Sequence, residues 1–490
     1  MNKYNDCMFN AIELSGVKLP KEISSQAKFK RFLGLDRGEP VDYKMIEKLQ
    51  TLFDNVSFSV SGDKKLQMPR KHLNINLKLK NGTYKLSNNV GRSIVKGKHF
   101  KPVKLENVYI YKKLDDMKYK IYNGFITRTM NIKDFQKQKK DYNYCFLKAD
   151  TADIEDEYME LVRDARMLYA YSDETIDIFR YQSYPMAALD VWQRYSKIYN
   201  YSNDLLEDEA KIINYAFQGG LTYANTGYNG FAVAYDINSF YPSCMINQYL
   251  NLPVEEPEMK YLSADEFNSL KYYQYGIYRA EIEKSSTKLF KYNKMNYYTH
   301  FDLTTAKELG LSIQIINENP NFYYYSKDKL IRAASVFEQF VQKMFDLKQQ
   351  KCVLAKPILN CLWGTLAQKH TYKKIIECDD MVYNIPENAK LLHLEPHGTG
   401  FKIKYAPDKN RLFKRPEARF SPFILSFARM TFARKLKNYE NNIVRIHTDG
   451  IYFDSDIETD FIIGTGLGEW KCEYKGEIEV IHLNKIKHSN

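Results

Sequence analysis

The stretch Phe231–Met245, FAVAYDINSFYPSCM, constrains this chain more than any other part of it. Its apolar opening, FAVAY, reads as a buried strand that delivers Asp236 to its end. The following NSFYPSCM places Pro242 where a first helical turn tolerates it, with Ser239 as the candidate cap. A carboxylate leaving a buried strand beside a polar turn is a place where proteins of mixed helix and sheet hold a divalent cation. Such a strand has to be covered, and 490 residues supply ample core for two to four domains.

Composition narrows the class. Hydrophobic residues are 44% and charged residues 27%, the balance of a globular protein, and no window reaches membrane-spanning length. The N-terminus lacks the apolar core of a signal peptide. Seven cysteines, at 7, 145, 244, 352, 361, 378 and 472, are scattered without a CxxC pair, which argues against a disulfide framework or a zinc knuckle. A soluble protein of a reducing cytoplasm is expected, with no membrane partner. The excess of 72 basic over 60 acidic residues, net +12, suits a polyanion, and 40 tyrosines supply stacking surface.

Two further stretches carry chemistry. Residues 331–351 form a helical pattern (Val336, Phe337, Phe340, Val341, Met344, Phe345) whose other face carries Lys343, Lys348 and Lys351. The next helix, opening at Pro357, sets Lys356, Asn360, Trp363 and Gly364 at offsets that share one face. Later, Ile443-Val444-x-Ile446 and Ile451-x-Phe453 flank Thr448-Asp449-Gly450, a hairpin signal that brings a second aspartate to a strand end.

Together these segments resemble, in order, the three motifs of family B DNA polymerases. Asp236-x-x-Ser239-x-Tyr241-Pro242 is similar to motif A. Lys356-x3-Asn360-Cys361-x-Trp363-Gly364 is similar to motif B, with Cys and Trp for the family's Ser and Tyr. His447-Thr448-Asp449-Gly450 is similar to the Asp-Thr-Asp-Ser of motif C, with His447 in place of the first aspartate. Sixteen residues before motif A, Phe217-x-Gly219-Gly220 resembles the Tyr-x-Gly-Gly template-strand linker, and Lys485-Ile486-Lys487 the Lys-x-Tyr primer segment. The resemblance implies that Asp236 and Asp449, with the Ile237 carbonyl, hold two Mg²⁺ ions (Mn²⁺ as a substitute). It assigns Lys356 to the triphosphate, with Ser239, Tyr241, Asn360, Trp363 and Gly364 around the incoming nucleotide and Tyr241 under its sugar. Phe217, Gly219, Gly220, Lys485 and Lys487 would meet DNA. Insertions at about 246–340 and 367–417 look like those of the protein-primed branch of bacteriophages and linear plasmids, whose primer is a terminal protein. A monomer acting on primer-template DNA and deoxynucleoside triphosphates is implied, in the host cytoplasm if viral, with the thumb reduced, absent or beyond the end of the chain.

Upstream the signals are shorter. Residues 154–180 read as one amphipathic helix in which Tyr169 and Asp173, four apart, resemble the third exonuclease motif of proofreading relatives. Asp153-Ile-Glu155 lies too near to supply a separate strand, and no second exonuclease motif is legible, so 141–210 is read as a truncated exonuclease-like remnant. In residues 1–140 Cys7 opens a helix, HLNINLKLKNGTYKL predicts a hairpin turning at Asn81-Gly82, His99 falls on a strand and Asn123 ends another. Cys, His and Asn in that order resemble papain-like and OTU-like cysteine peptidases, which makes Cys7, His99 and Asn123 a candidate triad.

The expectation is an α+β chain: a small α+β N-terminal domain (1–140), the exonuclease-like remnant (141–210) and a right-hand polymerase palm and fingers (211–490). Two rivals stand beside DNA-directed synthesis. One is a polymerase-derived protein that holds DNA or a terminal protein with weak catalysis; the other is a cysteine peptidase on a polymerase-like platform.

Overall fold

The computed structural model describes residues 6–13, 19–53, 56–64, 66–67, 73–80, 83–86, 105–115, 118–139, 141, 145–149, 153–172, 175–181, 183–196, 205–377, 389–398, 400–407 and 411–488. The chain divides into two compact units, Met1–Asp204 and Leu205–Asn490. Both mix helices with sheets, as expected.

The first unit holds two small sheets. In the N-terminal one, α1 (Cys7–Glu13), α2 (Gln26–Leu33) and α3 (Ile46–Gln50) accompany β1 (Val56–Gly62), β2 (Leu66–Gln67), β3 (Leu73–Lys80) and β4 (Thr83–Leu86), in the order β2-β1-β3-β4. Helix α2 starts at Ser25, whose hydroxyl accepts from the Lys28 amide at 3.4 Å, and stops at Gly34, whose φ of 79° only glycine adopts freely. Met8, Phe9, Phe29, Ile46, Phe58 and Ile75 form the core. The hairpin expected over 72–86 is there, with Lys80 opposite Thr83, while its turn at Asn81-Gly82 lies outside the described residues.

The second sheet has the order β7-β6-β5-β8. A meander of β5 (Val108–Lys113), β6 (Lys118–Tyr122) and β7 (Thr127–Asn131) leads through α4 (Ile132–Lys139) to β8 (Cys145–Lys148), which pairs in parallel with β5. Tyr109, Ile121, Phe135 and Phe146 pack its core. This sheet runs across residue 140, where sequence placed a boundary, because a strand on the far side of α4 completes the pairing of β5. Helix α5 (Ile154–Tyr171) then ends nine residues earlier than 154–180 implied: Ser172 caps it and a 3-10 turn follows at Ile178–Arg180. Tyr169 is therefore in the last turn of α5, and Asp173, beyond its end, lies outside the described residues. Helix α6 (Tyr184–Ser196) follows.

The second unit opens with α7 (Glu207–Ala216), which straddles the expected 210/211 boundary. Its centre is a six-stranded antiparallel sheet drawn from both ends of the segment. The strands are β9 (Leu221–Ala224), β10 (Asn229–Ile237), β21 (Ile443–Thr448), β22 (Gly450–Phe453), β23 (Trp470–His482) and β24 (Lys485–His488), in the order β24-β23-β10-β22-β21-β9. After β10 comes α8 (Phe240–Met245).

The stretch to residue 332 holds β11 (Asn251–Pro253), β12 (Glu258–Lys260), α9 (Ala264–Ser269), β13 (Gly276–Ile282), β14 (Tyr297–Thr299), α10 (His300–Glu308), β15 (Ile313–Ile315), β16 (Phe322–Tyr324) and β17 (Leu330–Arg332). Tyr278, Tyr298, Leu303 and Phe322 give it a core of its own. Helices α11 (Ala333–Gln349) and α12 (Ala355–Leu366) come next, followed by a three-stranded sheet in the order β18-β20-β19, made of β18 (Tyr372–Glu377), β19 (Lys390–His397) and β20 (Gly400–Ala406). Helix α13 (Phe420–Leu436) is buried almost all round, so its polar side chains need partners. Arg429 donates to Asp302 at 2.8 Å, and Arg419, just before the helix, donates to Glu209 at 2.7 Å. Removing one partner of such a buried pair costs about 3–5 kcal/mol.

Candidate active site

The site forms where β10, β22 and β23 meet. Asp236 pairs with Gly450 on one side and Lys471 on the other, so the two strand neighbours of this aspartate come from 214 and 235 residues away. The hairpin joining β21 to β22 has a two-residue loop, Thr448-Asp449, between the pair His447 and Gly450. Thr448 takes a φ of 63°, and the Ile237 amide donates to the Asp449 carbonyl at 3.3 Å. That bond ties the second aspartate to the end of the first one's strand. At Gly450 a Cβ would stand 3.6 Å from the Asp236 Oδ1, an ordinary contact.

The two carboxylates feel each other. Burial, then the charge of Asp449 and that of Glu473, push the Asp236 carboxyl up to about 6, against the pull of Lys471. Asp449 accepts from the Thr448 hydroxyl at 2.6 Å. Two half-buried acids this close to one another make it costly for both to be ionised, and nearby positive charge relieves that cost. Among the described residues no group of three His, Cys, Asp or Glu side chains could hold a metal ion. An ion here would therefore take two carboxylates and complete its shell with other oxygens, which suits Mg²⁺ better than Zn²⁺ or Ca²⁺.

Lysines lie near the acids: the Lys471 ammonium is 3.6 Å from Asp236, and Lys348 feels the charges of Lys356, Lys471 and Asp236. Ser239 stands at the N-terminus of α8 in the left-handed region (φ 51°) and makes no capping bond; instead its hydroxyl accepts from Lys348 at 3.0 Å. Ser239 thus occupies the expected N-cap position, with its hydroxyl turned to Lys348 and not to the helix amides. Lys348, on α11, is held below its ordinary value by burial and by the charges of Lys356 and Lys471. Helix α12 starts at Ala355, as Pro357 implied, and buries Ile358, Leu359, Leu362 and Leu366. Lys356, Asn360, Trp363 and Gly364 remain on its open face, and nothing lies within 4 Å of where a Gly364 Cβ would be.

Tyr241 joins these parts. Its ring stacks on Trp363 at 5.0 Å, and burial, then the charge of Asp449, push its phenol above the ordinary value. A Cβ on Gly220 would come within 2.3 Å of the Tyr241 hydroxyl and 3.2 Å of the Thr448 Cα, so glycine is required there by protein neighbours. Gly219 has open space around it. The loop after Phe217, which ends α7, is fixed from behind: Arg429 donates to the carbonyls of Gln218 (3.0 Å) and Gly219 (2.8 Å), and Lys291 to that of Gly220 (2.7 Å). His447 faces Asn484 at 3.3 Å, and Lys485 and Lys487 lie exposed on the edge strand β24, Lys487 paired with Glu479 at 2.8 Å.

Sequence reading missed Lys471 and Glu473, placed Lys348 on the open face of its helix without giving it a role, and did not find Lys291 and Arg429. Nothing local marks them, since each reaches the site through pairing or packing over long separations. The residues of the candidate triad lie in the first unit. Cys7 begins α1 and packs against the N-terminal core. Asn123 belongs to the second sheet, where its amide donates to the Glu106 carbonyl at 2.8 Å and accepts from the Phe125 and Ile126 amides. His99 lies outside the described residues.

A family model described as DNA polymerase type B, organellar and viral, matches residues 100–394. A probable DNA polymerase of Neurospora intermedia is 23% identical over 349 residues, covering 65% of this chain and 34% of its own length. A probable DNA polymerase of Ascobolus immersus is 24% identical over 392 residues, covering 72% of this chain and 30% of its own. The chain thus spans about a third of the length of these relatives. Among solved structures, Phi29 DNA polymerase complexed with single-stranded DNA aligns with a TM-score of 0.47 and 17% identity, over 78% of this chain and 74% of that one. Its complex with primer-template DNA and incoming nucleotides gives 0.47, 17%, 78% and 75%.

Proposed function

The chain belongs to the organellar and viral DNA polymerases of type B, and on that premise we propose that it adds deoxynucleotides to a primer 3′-hydroxyl under the direction of a DNA template. The observation that carries this reading is the meeting of Asp236 and Asp449 at one end of a sheet, opposite Lys348 and Lys356.

Polymerases of type B use divalent metals. Two Mg²⁺ ions held by Asp236, Asp449 and the Ile237 carbonyl would activate the primer hydroxyl and offset charge on the triphosphate and departing pyrophosphate. The chain's own residues do the rest. Lys348 and Lys356 bind phosphate oxygens, and their positive field is strongest where charge develops on the leaving group. Tyr241, backed by Trp363, forms the floor under the sugar and leaves no room for a 2′-hydroxyl. Asn360, Trp363 and Gly364 present an amide, a ring and a gap to the nucleotide. Phe217 and Gly219 lie along the template strand, and Lys485 and Lys487 along the primer.

A finer reading concerns the primer. The segments between β11 and β17 and between β18 and β20 are built as separate small sheets, which suits insertions that embrace DNA, displace a strand and accept a protein-borne primer hydroxyl. The binding-protein reading is favoured by one observation, His447 where the family has an acid. Primer extension with Mg²⁺ and all four nucleotides separates the two. Template-directed products that disappear in Asp449→Asn are expected; a folded, DNA-binding wild type that extends no primer would overturn synthesis.

A further inference from the structure

Beside Asp236 stand two side chains with no part in the scheme above. Lys471 is its neighbour across β10 and β23, with the ammonium 3.6 Å from the Asp236 Oδ2 and 2.5 Å from the Glu473 Oε1. The backbone makes this arrangement deliberate. Tyr235 pairs with Cys472 and Ala234 with Tyr474, so Glu473 is the extra residue of a β-bulge. A bulge of this kind re-aims a side chain and is common next to active sites. The strand is pinned immediately before it by Trp470, fully buried and stacked on Phe461 at 4.0 Å. Its neighbour Lys471 thus starts from a fixed point, while its own side chain and that of Glu473 stay partly exposed.

An ammonium and a dication cannot both sit against one carboxylate without strong repulsion. Lys471 already bridges the two acids, and a small rotation takes it off Asp236 without losing Glu473. We propose that Lys471 is a positioning residue that holds the Asp236 carboxylate while the metal is absent and withdraws onto Glu473 when a divalent cation enters, so that this pair sets the metal affinity of the site. The inference rests on the polymerase reading of Asp236. It gives Lys471 the place of a resident counter-ion and Glu473 that of its receiver.

The test uses Mn²⁺ titrated into the full chain without DNA or nucleotide, with free ion read by electron paramagnetic resonance. Lys471→Met is expected to lower Kd about tenfold. Glu473→Gln, which leaves the ammonium with Asp236 alone, is expected to raise Kd severalfold, and to do so less when Lys471→Met is also present. An unchanged or weakened Kd in Lys471→Met overturns the proposal. So does a raised KM for deoxynucleotide with an unchanged Mn²⁺ Kd, which would make Lys471 a triphosphate contact. Binding that Asp236→Asn abolishes keeps the polymerase site intact whichever way Lys471→Met falls. Binding indifferent to Asp236→Asn would remove that site and the inference together.

Discussion

The acids of the six-stranded sheet and those beside the smaller sheet of the first unit make an instructive contrast. Asp153 caps α5, accepting from the Glu155 and Asp156 amides, and Glu155 accepts from the Thr127 hydroxyl at 3.2 Å. Asn123, at the end of β6, is likewise closed on its own turn. These polar groups satisfy neighbouring backbone or side chains. Asp236 is desolvated, meets an ammonium at 3.6 Å and shares its surroundings with Asp449 and Glu473. An acid that answers the chain's own donors stabilises structure, whereas acids gathered beside one another carry shifted proton affinities of the kind found at functional sites.

The sharpest way to break this contrast is to remove a charge from each class. On the two-metal proposal, Asp449→Asn is expected to lower nucleotide addition by at least about a thousandfold with Tm little changed, since it deletes an anion from the proposed metal site. Extension within tenfold of wild type would place Asp449 with Asp153 as merely structural. Next in size, Gly220→Ala should cost at least about tenfold in activity, because the new methyl meets Tyr241 and Thr448. Adding Tyr241→Phe removes the hydroxyl at 2.3 Å and should recover part of the loss; no recovery would mean that the Thr448 backbone is the obstacle.

A stability measurement sharpens the comparison further. The Asp236 carboxyl is raised from 3.8 to about 6 on folding. Its contribution is therefore fully present below pH 3.8 and is lost as pH rises through about 6. In chelator-treated protein Asp236→Asn should raise unfolding free energy at pH 8 by on the order of 2 kcal/mol, and the gain should vanish near pH 4. A variant equally or less stable at pH 8 would show that Asp236 is not strained. The smallest effect belongs to the other class: Asp153→Ala should lose about 1 kcal/mol through the α5 cap. Chemical denaturation followed by helix signal checks it, and a neutral result would leave Asp153 without its structural role.

Several features of this protein were legible before any coordinates. The apolar run before Asp236, the turn signal at Thr448-Asp449-Gly450 and the helical offsets from Lys356 to Gly364 are local. Strand alternation, hairpin loops and helix faces follow from a few neighbouring residues. The same locality explains where the reading failed. The end of α5 at Tyr171 is set by a cap that amphipathic spacing over 154–180 does not reveal. The sheet crossing residue 140 depends on β8 returning parallel to β5, a pairing between strands that no local pattern announces.

Tertiary structure alone decided who stands next to whom at the site. Lys471 lies 235 positions from Asp236, and its register against that strand, with the bulge that turns Glu473 towards it, is fixed by sheet pairing and by Trp470 buried on Phe461. The loop at Gly219 and Gly220 is held by Arg429, which also answers Asp302 from another helix. The sequence by itself determined that two aspartates would end two strands, because that is written in short-range pattern. Only packing could determine the charges around them, because an ion pair is specified by distance in space, and separation along the chain carries no record of it.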